Sequence, residues 1–280
     1  MIIINLNSQL GNQMFQYALA RKLQTLGRRV KFDTRYYLQY PDHYALDVFP
    51  VTVDLASGNE IGKERDERRT YPARLRRKLF GKRQTIFSEV ESRSLMYKPD
   101  VFQLKHGYVD GYWQSEKYFS DIRSIILKDF TFPPIDDGKN RELIERISQQ
   151  NTVSIHIRRG DYANGFPMMT SQYYDNAISY FENKFNEVCF LVFSNDMDWA
   201  KQNLKFRQGE FIDWNTGKES WRDMYLMTQC NHHIIANSSF SWWGAWLNTK
   251  QNKEVLAPDI WFYHQETPDI YCEEWKIMPI

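Results

Sequence analysis

Three neighbouring stretches decide how this chain reads: Ile2-Ile3-Ile4-Asn5-Leu6, then Asn7-Ser8-Gln9-Leu10-Gly11-Asn12, and beyond them Val30-Lys31-Phe32-Asp33. The first is a short, β-branched apolar run, which predicts a buried strand. The second is polar and reads as a loop. After it, Met14, Phe15, Ala18, Leu19, Leu23 and Leu26 recur at helical spacing, and Gly27 supplies a stop signal. Val30 to Asp33 predicts the next strand. Strand, helix and strand within about 30 residues make a βαβ unit, which requires a parallel sheet.

The pattern restarts after residue 150. Thr152 to Ile157 predicts a strand, residues 171–186 a helix and Val188 to Ser194 a strand. Helices over 196–204 and 220–230 follow, with a strand at Glu210 to Asp213 between them. His232 to Ala236 reads as a strand, Ser241 to Thr249 as a helix and Glu254 to Ala257 as a last short strand. Between the halves lies Phe130-Thr131-Phe132-Pro133-Pro134-Ile135-Asp136-Asp137-Gly138, whose prolines, glycine and acids suit a linker. The expected organisation is therefore two α/β domains, 1–134 and 135–280, facing a cleft, with ligands at the carboxyl ends of the strands.

Composition narrows the function. Across 280 residues, 36 Lys and Arg balance 35 Asp and Glu, so bulk charge does not mark a nucleic-acid binder. The balance hides a segregated block. Residues 63–83 hold ten basic against three acidic side chains, a net of +7, which leaves the rest of the chain at about −6. Leu75, Leu79 and Phe80 form a narrow apolar stripe there on a short helix. The block reads either as a solvated insertion or as a peripheral contact with anionic lipid or another anionic partner. Aromatic residues reach 16%, and core packing is their default use. Cys189, Cys230 and Cys272 are too few and too scattered for a disulfide framework or a thiolate metal site, so free thiols in a reducing cytosol are expected. No apolar run approaches a membrane span and the N-terminus does not read as a signal peptide, which predicts a soluble, cytoplasmic protein able to attach peripherally to a membrane.

Chemistry concentrates in three stretches. In Val153-Ser154-Ile155-His156-Ile157-Arg158-Arg159-Gly160-Asp161-Tyr162 a strand runs into a histidine, two arginines, a glycine and an aspartate. Alternation sends His156 and Arg158 to one face, and a guanidinium at a sheet's carboxyl edge suits a diphosphate. The plainer alternative is a structural Arg–Asp pair. In Ala236-Asn237-Ser238-Ser239-Phe240-Ser241-Trp242-Trp243-Gly244-Ala245-Trp246 small hydroxyl residues open a helix. Free N–H groups and serine hydroxyls there make a phosphate seat without a metal, or simply an N-cap. The tryptophans read as packing. In Ser220-Trp221-Arg222-Asp223-Met224-Tyr225-Leu226-Met227, Asp223 suits the N–H edge of guanine or compensates the helix dipole. Asp196 and Asp198 follow a strand and form a weak divalent-ion pair, although Asp196 also fits as an N-cap. His232 and His233 point to opposite faces, which makes them a poor metal pair.

Together these residues resemble the inverting α-1,2-fucosyltransferases of glycosyltransferase family 11. The resemblance rests on Gly11-Asn12-Gln13-Met14-Phe15-Gln16-Tyr17, Gly111-Tyr112-Trp113-Gln114-Ser115-Glu116, His156-Ile157-Arg158-Arg159-Gly160-Asp161 and Asn237-Ser238-Ser239-Phe240-Ser241-Trp242-Trp243-Gly244, in that order. It implies a GT-B type fold of two Rossmann-like domains, GDP-β-L-fucose as donor, no cofactor and no required metal. It also implies transfer to the 2-hydroxyl of a terminal galactoside in surface-glycan or O-antigen biosynthesis. The C-terminal domain should then hold GDP-fucose, and the N-terminal domain the acceptor. Donor-binding residues by resemblance are His156, Arg158, Arg159, Asp223, Ser238, Ser239, Ser241, Gly11, Asn12 and Gln13. The catalytic set is Asp161, Arg158 and His156, with Asp161 as general base or as a holder of the arginines, and Arg159 either assisting Arg158 or bracing the site. The family opens on Gly-Gly-Leu-Gly-Asn-Gln, whereas Ser8 and Gln9 replace its first two glycines here, which leaves this backbone less free. The rivals are another acceptor or linkage on the same fold, a metal-dependent transferase using Asp196 and Asp198, and a non-catalytic sugar or nucleotide binder.

Overall fold

The structure is a computed structural model, and it describes residues 1–89, 96–160, 166–263 and 267–280. The chain divides into two compact units, Met1–Thr131 and Phe132–Ile280. Unit 1 contains β1 (Ile2–Asn5), α1 (Leu10–Thr25), β2 (Val30–Asp33), α2 (Gly58–Glu64), α3 (Tyr71–Phe80), β3 (Ile86–Ser88), β4 (Gly107–Asp110) and α4 (Arg123–Asp129). Its sheet runs β2-β1-β4-β3 with every pairing parallel. β1 is central and apolar, and Ile2, Ile3 and Ile4 are fully buried against both neighbours. This bears out the βαβ expectation. β3 and β4 lie outside the strands the sequence predicts, because Ile86-Phe87 and Tyr108-Val109 each make an apolar run of only two residues.

Unit 2 contains α5 (Gly138–Gln149), β5 (Thr152–Ile157), α6 (Ser171–Lys184), β6 (Cys189–Ser194), α7 (Met197–Asn203), β7 (Gly209–Ile212), α8 (Trp221–Gln229), β8 (His232–Ile234), α9 (Ser239–Leu247), β9 (Val255–Pro258) and β10 (Lys276–Met278). Its sheet is also parallel throughout, in the order β10-β9-β8-β5-β6-β7. All six residues of β5 are buried, as expected for a central strand covered on both faces. On one face Tyr173, Ala177, Ile178 and Phe181 of α6 join the cluster built on Val153, Ile155 and Ile157. On the other, Leu143 and Ile147 of α5 meet Leu226, Met227 and Cys230. Gly244 permits the close approach of α9 to α8, since a Cβ there would lie 2.9 Å from the Met227 sulfur. The expected α/β class and parallel sheets are therefore both present.

The aromatic surplus is mainly core. Trp242, Trp243 and Trp246 are buried and pack ring to ring at 5.0–6.1 Å. The Trp242 indole N–H donates to the Ile270 carbonyl at 2.6 Å. Trp113 is buried between Phe87 and Tyr118. The three cysteines are free, and no helix among the described residues is long and apolar enough to cross a membrane.

Candidate active site

In unit 2 the chain builds outward from β5 to β6 and β7, then returns to β8 on the other side of β5. Strand order reverses between β5 and β8, and the carboxyl ends of two strands at such a point flank a natural ligand crevice. β5 delivers His156, Arg158 and Arg159 there, and β8 delivers Asn237, Ser238 and the head of α9. The two stretches meet, with the His156 ring 5.5 Å from the ring of Phe240. Adjacent tyrosines of α6 fix both strand ends. Tyr173 donates its hydroxyl to the Ile235 carbonyl at 2.7 Å, and Tyr174 donates to that of His156 at 3.1 Å.

Burial first, and then the charge of Arg158, lower the His156 pKa to about 3. The imidazole is therefore neutral near pH 7, and its Nδ1 is buried with no hydrogen-bond partner among the described residues. Arg158 is half-buried at the mouth of the strand. Its neighbour turns elsewhere. The Arg159 guanidinium lies 4.1 Å over the Trp199 ring, 3.7 Å from Asp196 and 3.4 Å from the Met169 carbonyl. Of the two roles open to Arg159, this geometry is that of a brace. Asn195, which no motif marked, accepts the backbone N–H groups of Arg159 at 2.9 Å and of Gly160 at 3.4 Å. Asp161 lies outside the described residues.

At the head of α9 the first-turn N–H groups have no intrahelical carbonyl to meet. Ser238 caps the helix and accepts from the Phe240 N–H at 3.4 Å, while Ser239 is half-buried beside it. Ser241 departs from its expected place on the donor. Its buried hydroxyl turns back to the Ala236 and Ser238 carbonyls at 3.3 and 3.2 Å, the usual back-bond of a serine inside a helix. Asn237 donates to the carbonyls of Pro167 and Trp261 at 2.9 and 3.1 Å, tying the loop to its surroundings.

Asp223 does have partners, through residues distant in sequence. It accepts from Asn215 at 2.8 Å, and Asn215 exchanges hydrogen bonds with Asn140. Asn140 in turn bonds Asp137, which caps α5 and pairs with Arg222. Burial raises the Asp223 pKa to about 7 against the opposing hydrogen bond from Asn215. A carboxyl so poised gains from any ligand that offers it two N–H donors.

The strand ends of unit 1 form a second reversal, between β1 and β4. The residues expected as a donor loop are arranged differently: Gly11, Asn12 and Gln13 lie inside α1, which starts at Leu10. Gln13 is fully buried, donating to the carbonyls of Ser8 and His43 at 2.9 and 2.7 Å and accepting from the Ala45 N–H at 3.1 Å. Its amide thus holds the protein's own loop. The Asn12 side-chain oxygen accepts from Gln114 at 2.6 Å, and Gln16 donates to the Gly111 carbonyl at 3.0 Å, so two of the sequence motifs clasp each other. Asn5 donates to Asp110 at 2.8 Å between the strand ends. Buried Glu89 accepts the N–H groups of Tyr112 and Trp113, both at 2.7 Å, and holds a turn in which Gly111 and Trp113 have φ of +150° and +60°. Ser8 itself sits at φ +64°, a region that glycine enters without strain.

The alternative metal pair fares poorly. Asp196 caps α7 through the Trp199 N–H and faces Arg159, while Asp198 sits in the first turn of α7. No group of three His, Cys, Asp or Glu residues among the described residues is placed to hold a metal.

The chain is similar to known proteins along nearly its whole length. The chain is 33% identical over 280 residues to an α-1,2-colitosyltransferase of Escherichia coli, covering 95% of this chain and 93% of that protein. It is 31% identical to the O-antigen biosynthesis glycosyltransferase WbnK of Escherichia coli, covering 96% and 98%. With the human galactoside α-(1,2)-fucosyltransferase 1 it shares 28%, covering 96% of this chain and 72% of that one. Among solved structures, the fucosyltransferase NodZ from Bradyrhizobium superposes with a TM-score of 0.48 at 14% identity, over 87% of this chain and 90% of that one. These relatives define a sugar-transferring enzyme. The chain belongs to glycosyl transferase family 11, whose sequence model matches residues 93–278.

Proposed function

We propose that this enzyme is an inverting fucosyltransferase that moves L-fucose from GDP-β-L-fucose to the 2-hydroxyl of a terminal galactoside, in the cytoplasmic assembly of a surface glycan such as an O-antigen. The observation that carries the reading is the meeting of the end of β5 with the head of α9, His156 against Phe240, at the reversal point of unit 2, with Arg158 two residues beyond His156. A fork of positive charge and a helix N-terminus then share one crevice, and a diphosphate suits both. The names of the relatives, α-1,2-colitosyl and α-1,2-fucosyl transferases, support the linkage.

Negative charge grows on the departing diphosphate as the bond to the anomeric carbon breaks. Arg158 and the head of α9 at Ser239 neutralise it, and no metal is needed on this route. Neutral His156 offers its unpartnered Nδ1 to the same crevice, and Asp223 takes the guanine edge. Asp161 keeps its assignment as the base that accepts the proton of the attacking hydroxyl. The polar strand ends of unit 1 bind the acceptor.

The deciding experiment mixes the purified protein with GDP-fucose or GDP-colitose and a panel of β-galactosides, with and without excess EDTA. GDP release that depends on the galactoside, survives EDTA and yields an α-1,2 product by NMR supports the whole reading. Transfer of colitose alone would replace the donor sugar, and loss of activity in EDTA would overturn the metal-free route. No acceptor-dependent release from either donor would leave a binder.

A further inference from the structure

The block of positive charge at residues 63–83 takes a definite shape. α3 runs from Tyr71 to Phe80, and its burial is inverted with respect to an ordinary surface helix. Two arginines point inward. Arg76 pairs with Asp66, while Arg77 donates to the Asp66 and Arg68 carbonyls at 3.1 and 2.6 Å. Asp66 is fixed further by the Arg83 N–H at 2.8 Å. The apolar residues point outward: Tyr71 is 77% exposed, Leu75 44%, Leu79 65% and Phe80 80%. At 100° per residue, Tyr71, Leu75 and Leu79 form one continuous stripe, with Arg74 and Lys78 along its edge. The segment also opens a hollow of about 590 Å³ that Arg35, Arg69, Arg77 and Lys82 line against Asp66 and Glu67.

A merely solvated insertion gains nothing from turning its leucines to water and its arginines to the protein. An interfacial helix requires that arrangement, with an apolar stripe to enter the acyl boundary, basic flanks for the headgroups and a fixed inner face. We propose that α3 and its basic surround dock this enzyme on an anionic lipid bilayer. Charge complementarity selects the occupant: ten basic side chains against three acidic ones leave the segment a net +7 that favours an anionic surface, and the hollow beside α3 is wide enough for a phosphate headgroup. The inference is independent of the sugar transferred.

The test uses the full chain with vesicles of phosphatidylcholine alone, or of phosphatidylcholine and phosphatidylglycerol in equal parts. The wild type should partition at least about tenfold better onto the anionic vesicles, and lose that preference in high salt. Leu79→Ser with Phe80→Ser should lower the partition about tenfold at unchanged charge. Arg74→Glu with Lys78→Glu, which leaves the stripe intact, should lower it by at least about 25-fold, since each basic residue near the surface is worth about fivefold and both charges are reversed. Transfer between soluble donor and soluble acceptor should be unchanged in both variants, which separates docking from folding and from the sugar chemistry. Equal partition onto neutral and anionic vesicles, or an apolar double variant that binds like the wild type, would overturn the proposal. So would a wild-type dimer in solution that the apolar double variant abolishes, because a second copy would then cover the stripe.

Discussion

At the strand ends of unit 1, polar side chains meet one another: Asn5 holds Asp110, Asn12 takes the amide of Gln114, Gln16 reaches the Gly111 carbonyl and Gln13 fastens the loop at His43–Ala45. At the strand ends of unit 2, polar groups are held from behind and left facing the crevice. Tyr173 and Tyr174 fix the carbonyls of the two strand ends, Trp199 and Asp196 fix Arg159, and His156 keeps a buried, unpartnered nitrogen. The same reversal of a parallel sheet thus yields a rim of amides and carboxylates bonded to one another in one unit. In the other it yields a rim with two arginines and with a buried histidine nitrogen that has no partner among the described residues. A rim of amides bonded to one another suits a ligand made of hydroxyls, whereas a rim that carries guanidinium groups suits an anion.

The largest test of that contrast is Arg158→Lys. The charge survives but the fork is lost, and turnover should fall about 10²–10³-fold with little change in thermal stability. Near-normal kcat would remove unit 2's claim to the diphosphate. In unit 1 the sharpest substitution is Gln16→Leu, which strands the Gly111 carbonyl and the Asn7 N–H that Gln16 now satisfies. It should cost about 2 kcal/mol of stability by urea denaturation, with donor affinity unchanged. A loss of donor affinity instead would put this rim on the donor.

Asp223 supplies a pH test. Its carboxyl titrates near 7 in the folded protein against an ordinary value of 3.8, so its ionisation costs stability. Stability from this group falls as pH rises from about 4 through 7 and is flat above. A guanine edge wants the ionised form, so the affinity for GDP-fucose, whose esterified diphosphate does not titrate there, should weaken up to about tenfold per pH unit below 7. Isothermal titration calorimetry across that range reads the effect, and Asp223→Asn should abolish the slope. A wild-type affinity that is flat with pH removes Asp223 from the guanine.

The smallest effect concerns Ser8. Its φ of +64° strains a side chain, so Ser8→Gly should change stability by no more than about 1 kcal/mol, in the favourable direction, in a thermal scan. Destabilisation would mean that the serine makes a compensating contact.

These residues also show what a sequence can and cannot tell. β5, β8 and the head of α9 were legible because a buried parallel strand reads as an uninterrupted apolar run ending in small or charged residues. Alternation along β5 already separated Arg158 from Arg159, and the structure supplies what Arg159 leans on. The partner of Asp223 is not legible, since Asn215 donates to it from a loop that Asn140 holds only once α5 and α8 have packed. Ser241 and Gln13 bond their own surroundings, which the sequence does not reveal for a related reason. A hydroxyl or amide in a motif looks the same whether it faces a ligand or its own backbone, and only the fold decides. α5 was missed although its signals were present: the Asp137 cap, and Leu143 and Ile147 one turn apart.

The two adjacent tyrosines of α6 carry one more consequence. Because they fasten the ends of β5 and β8 from within the core, the backbone at both strand ends is set when unit 2 folds. On the proposed route, part of the reorganisation that water would have to undergo around a departing diphosphate would then be built into the fold before the bond breaks.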